Sequence, residues 1–112
     1  MFYQFMQNNS GGSFDFDEAS GITASVLIEA ESKEEANTIA KGAGIYFYGC
    51  YAGYDCQCCG DRWYEADDGD ARDYPHNCGT PLSEETWGFS WMAEGKECCV
   101  HYKDGHKEWY GK

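Results

Sequence analysis

Four of the chain's seven cysteines fall within the ten residues from Cys50 to Cys59. They sit in Cys50-Tyr51-Ala52-Gly53-Tyr54-Asp55-Cys56-Gln57-Cys58-Cys59-Gly60-Asp61-Arg62-Trp63, with glycines at 49, 53 and 60. Glycine lets the backbone turn sharply there. A segment of thiols and glycines holds little apolar surface of its own. Three ties are open to it: a metal, disulfides, or packing beneath the surrounding rings.

The Cys56-x-x-Cys59 spacing lets two thiolates reach one tetrahedral zinc, and Cys50 and Cys58 are the further candidates. Zinc in a closed structural site is the expected cofactor. The second pair expected of a zinc ribbon is missing, because Cys98 and Cys99 are adjacent and Cys78 stands alone. Buried, reduced cysteines acting as small apolar residues are the other reading. Clustered thiols in a reducing compartment read as ligands before disulfides.

A chain of 112 residues is one domain, 1–112. Rings make up 17% of it, so aromatic packing replaces much of the usual aliphatic core. The formal net charge of −12 leaves no basic face for phosphate backbones, so direct nucleic-acid binding is not expected. The same charge suits a basic protein partner. No stretch is apolar and long enough to span a bilayer. Met1-Phe2-Tyr3-Gln4-Phe5 lacks the basic segment of a secretory signal, which points to the cytoplasm.

The pattern predicts an α+β fold: a mainly antiparallel sheet with one helix packed across it, a Cys/Gly-rich loop and a C-terminal β-hairpin. Phe2–Gln7 and Ile22–Ala30 read as strands, and Phe14–Asp17 as a short edge strand. Ser32-Lys33-Glu34-Glu35 is a capping box. Ala36, Ile39, Ala40 and Ala43 follow on one helical face, and Gly44 ends the helix. Ile45–Tyr48, Arg62–Tyr64 and Thr86–Trp91 are further expected strands. Asp104-Gly105 suggests a two-residue turn, which would place Val100 opposite Trp109, His101 opposite Glu108 and Cys99 opposite Tyr110.

Two groups could bind a ligand. Asn8, Asn9, Ser10 and Gly11 lie in an amide-rich loop whose backbone donors could cradle an anion or a sugar-like group, or which simply turns the chain. Arg62 and Trp63 offer a planar fork beside a ring. Their plainer role is a buried ion pair to Asp55, Asp61 or Glu65 with a core indole. His76, His101 and His106 form no triad or metalloprotease pattern, and no catalytic residue is assigned.

Gln7-Asn8-Asn9-Ser10-Gly11-Gly12-Ser13-Phe14, Ile28-Glu29-Ala30-Glu31, Gly44-Ile45-Tyr46-Phe47 and Asp55-Cys56-x-Cys58-Cys59-Gly60-Asp61-Arg62-Trp63 resemble motifs of a family of small tailed-bacteriophage proteins of unknown function. The likeness spans about residues 2–64 and is looser beyond, where Val100–Gly105 and Trp109 fit best. It implies a phage accessory protein in the host bacterial cytoplasm. The expected function is non-enzymatic: binding and inhibiting a host protein through an acidic surface, as a counter-defence factor. Two alternatives stand beside it. One is sequestration of a nucleotide-derived host signal in an aromatic pocket. The other is a zinc-dependent hydrolase.

Overall fold

A computed structural model describes residues 1–8, 16–17, 19–55, 57–58, 60–67, 69, 71–77, 79–84 and 98–110. In chain order the elements are β1 (Phe2–Met6), β2 (Ser25–Glu29), α1 (Lys33–Ala43), α2 (Gly49–Ala52), β3 (His76–Asn77), β4 (Thr80–Pro81), a 3-10 turn (Leu82–Glu84), β5 (Cys98–His101) and β6 (Lys107–Tyr110). Among the described residues the result is a small α+β fold with a mostly antiparallel sheet and two α-helices.

The main sheet runs β1-β2-β5-β6, and β3 and β4 form a separate pair. β1 and β2 are antiparallel, with Phe2 opposite Glu29 and Met6 opposite Ser25. β5 lies parallel to β2, with Val26 beside Cys99 and Ile28 beside His101. Alternation along the strands sends side chains to two faces. Tyr3, Phe5, Val26 and Ile28 join one core with Ala36 and Ala40 of α1, Ile45 and Trp63. Phe2, Leu27, Cys98 and Val100 join a second core with Leu82 of the 3-10 turn. β2 is therefore covered on both sides, which explains an unbroken Val26-Leu27-Ile28 run where alternation would otherwise be expected.

α1 forms where its caps specify it. Ser32 Oγ accepts from the Glu35 amide at 3.1 Å. At the other end Gly44 takes φ +112. Its amide bonds Lys41 O, and the Ile45 amide bonds Ala40 O at 3.0 Å, a Schellman motif. Ala36 and Ala40 are fully buried, whereas Ile39 is exposed, so the buried stripe is narrower than the predicted face.

Several expectations are corrected. Ile45–Tyr48 is not a strand: the Ile45 amide is spent on the helix cap, both edges of β2 are occupied, and Tyr48 turns to φ +59. Arg62–Tyr64 joins no ladder, although Arg62 O accepts from the Asn8 amide at 2.8 Å. Asp17 pairs only with Ile22 as an isolated bridge. Phe14, Asp15 and Thr86–Trp91 lie outside the described residues. In the β5–β6 pair Cys99 faces Trp109, Val100 faces Glu108 and His101 faces Lys107, one residue from the predicted register. The loop has three residues, not two. Tyr102 N donates to His106 O, Gly105 N donates to Tyr102 O, and Gly105 sits at φ +94, as in a turn closed by a glycine bulge.

Candidate functional site

The thiol-rich segment is shaped by a buried carboxylate. α2 is one short turn, entered through Tyr48 and left through Gly53 at φ +85. Gly49 O accepts from the amides of Tyr54 (2.8 Å) and Asp55 (3.2 Å), which swings Asp55 back beneath the turn. The Asp55 side chain is fully buried. Its Oδ1 accepts from the Tyr46 hydroxyl at 2.6 Å, and its Oδ2 from the Arg62 amide at 2.8 Å. The Arg62 guanidinium stands 3.9 Å away through Nε.

Arg62 is itself enclosed. Nε donates to Tyr46 Oη (3.2 Å) and Nη1 to Gln7 Oε1 (3.1 Å). Gln7 Nε2 continues to Thr23 O at 3.2 Å. A buried charge pair is tolerated only when such bonds replace its lost water. Burial, then the bond to Asp55, raises the Tyr46 hydroxyl pKa, so it remains a donor. Next door, Asp61 Oδ1 accepts from the Cys50 amide at 2.8 Å. Asn8 Nδ2 donates to Asp61 O at 3.2 Å.

Asn8 is half-buried and clamps the Asp61–Arg62 backbone. Arg62 is buried in the network with Asp55, the plainer of its two predicted roles. Trp63 is 1% exposed in the first core. It also borders a cavity of about 350 Å³ with Phe16, Asp17 and Ser20. Cys50 is half-buried and Cys58 is exposed. Asn9, Ser10, Gly11, Cys56 and Cys59 lie outside the described residues. Among the described residues no group of three His, Cys, Asp or Glu is arranged around a metal position.

The same stretch of chain carries exposed rings, here called the rim. Tyr48, Tyr51 and Tyr54 recur every third residue, and their exposures are 61%, 96% and 80%. Tyr64 adds a fourth at 58%. The Tyr48 hydroxyl donates to Glu65 Oε1, and this bond raises its pKa. Tyr48 is also the one non-glycine residue with positive φ among those described. Such strain persists where surrounding contacts enforce it. Sequence reasoning missed Asp55, Tyr46 and Gln7 as one unit. It also missed the rim, which the three-residue tyrosine spacing signals.

The other thiol and imidazole candidates are quiet. Burial pushes the Cys99 thiol up to about 12, away from the thiolate form that nucleophilic chemistry needs. His101 is buried with Nε2 on Gly21 O at 2.8 Å. No described helix is long and apolar enough to cross a membrane.

A family model described as a domain of unknown function, DUF7296, matches residues 1–112. No curated protein and no solved structure shows a match.

Proposed function

The chain belongs to the DUF7296 family, and we propose that it is a non-enzymatic accessory protein of a tailed bacteriophage that binds and inhibits a host bacterial protein in the host cytoplasm. The observation that carries this reading is the set of exposed rings, Tyr48, Tyr51 and Tyr54 in and beside the α2 turn that leads into buried Asp55, with Tyr64 following Arg62. Tyrosines on a rigid support are the anchors of protein interfaces: large area, few rotatable bonds, and a hydroxyl that tolerates water before binding. Large exposed apolar surface is itself a mark of an interaction site. The −12 charge steers such a surface toward a basic partner. In the same segment of sequence, Cys50, Cys56, Cys58 and Cys59 would hold a structural zinc, whose usual ligands are thiolates.

The test is affinity capture from a bacterial lysate with wild type and with Tyr51→Ser/Tyr54→Ser. A protein retained by wild type, released by salt and lost in the variant is the expected result. Both side chains are exposed, so the variant should melt within about 0.5 kcal/mol of wild type. Equal capture by both proteins would remove the rim from the interface.

A further inference from the structure

A cavity of about 340 Å³ opens at the outer edge of β1, beside the β3–β4 pair, and is bordered by Gln4, Met6, Tyr64, Glu65, Arg72 and Gly79. Its size falls within the range of small-ligand sites. It neighbours the rim through Tyr64 but does not depend on the rim's role.

Arg72 is the cation at this cavity, and it is anchored twice. Its backbone bridges β1: Phe2 N donates to Arg72 O at 2.6 Å, and Arg72 N donates to Phe2 O at 3.2 Å. Its Nη1 donates to Gly69 O (3.0 Å) and Ala71 O (2.9 Å). No carboxylate among the described residues forms an ion pair with it, in a chain with 20 acidic and 8 basic side chains. The Nε and Nη2 edge is the one that pairs two-pronged with phosphate or carboxylate.

The wall beside that edge is kept low. Gly79 sits at φ +93, and a Cβ there would come within 3.5 Å of Nη2 and 3.8 Å of Nε. Buried His76 fixes Gly79: the Gly79 amide donates to His76 Nδ1 at 3.0 Å. The ring proton is therefore on Nε2, which points at Phe2 O, 3.3 Å away. The same cavity is lined by the exposed Tyr64 ring, the half-exposed Met6 and Glu65.

We infer that this cavity binds a small nucleotide. Its phosphate would meet the Arg72 fork, its base the Tyr64 ring, and an amine or hydroxyl donor the Glu65 carboxylate. Bases stack on any aromatic face, and an arginine fork supplies the phosphate contact. Glu65 disfavours a bare dianion and favours a ligand with a donor at its far end.

The test is titration of isotope-labelled protein with adenosine monophosphate, adenosine and inorganic phosphate, followed by amide spectra. The nucleotide should shift the Tyr64, Arg72 and Gly79 amides saturably, and adenosine and phosphate should each bind about tenfold or more weakly. Arg72→Gln should weaken nucleotide binding by about tenfold or more. Should that variant fail to fold, Tyr64→Leu changes only an exposed ring, and a several-fold loss is expected. Tyr51→Ser should bind the nucleotide as wild type does, so failure here and failure of the rim reading are separable. No saturable shift at these amides by about 5 mM nucleotide, or equal binding by Arg72→Gln, overturns the inference. Phosphate binding as tightly as the nucleotide would also overturn it, leaving an anion site alone.

Discussion

Gly49 is a glycine because Asp55 fills the space beside it. A Cβ at residue 49 would overlap Asp55 Oδ2 and stand 2.7 Å from Tyr46 Cε2. Gly49 has no positive φ, so an alanine in open space would favour the helix by about 1 kcal/mol. Gly49→Ala should instead destabilise the fold by roughly 1–3 kcal/mol, as overpacking does. Urea unfolding gives the sign, and a stabilised variant would mean that Asp55 lies elsewhere.

Removing both members of the buried pair should cost less than the two single removals added together. Asp55→Ala leaves the Arg62 guanidinium, 9% exposed, without its anion, and a loss of about 3–5 kcal/mol is expected. Asp55→Ala with Arg62→Met should lose less than the two single changes added together, with a coupling above about 1 kcal/mol. Strict additivity in denaturant midpoints would show that the two side chains do not act as one unit.

His101 should make the fold acid-sensitive. Burial lowers its pKa below the ordinary 6.5; the Gly21 carbonyl bond opposes this, and Lys107 adds a smaller lowering. With a depressed folded-state pKa, the unfolded chain takes up the proton first. This contribution is complete above 6.5 and is lost as pH falls through the folded value. Denaturation at pH 7.5 and at pH 5.5, both chosen to bracket that window, should show wild type losing stability on acidification. His101→Gln, which keeps a donor for Gly21 O, should lose less. Equal slopes in both proteins would assign the acid response to other groups.

Metal content settles the thiol segment directly. Protein purified without a metal-affinity tag should carry zinc, and Cys56→Ser or Cys59→Ser should lose both the metal and much of the stability, because the binding free energy of a structural zinc is folding free energy. Metal-free protein whose melting is unchanged in both variants would make the cysteines packing residues.

The parts legible in the sequence were those written locally. Ser32 and Gly44 mark both ends of α1, and the apolar runs mark β1 and β2. What was not legible depends on distant partners. Nothing near Ile45 says that β1 and β5 already flank β2, so an apolar run read as a strand. The hairpin register slipped because Asp104-Gly105 suits a two-residue turn equally well, and only the Tyr102–His106 pairing reveals the third loop residue. Asp55 was one of three carboxylates that could pair with Arg62, and what singles it out is Gln7, Tyr46 and Arg62 closing around it.

The parallel seam between β2 and β5 also sets an order of events during synthesis. Residues 25–29 leave the ribosome long before residues 98–101 exist to cover their second edge. Until then β1, β2 and α1 form a half-sheet whose Leu27 face has neither Cys98 nor Val100 against it. Such a nascent chain presents an open strand edge and an apolar face together, the combination that invites aggregation. The sheet is therefore completed only once residues 98–101 have followed, and chains cut before Cys98 should aggregate more readily than the 112-residue chain.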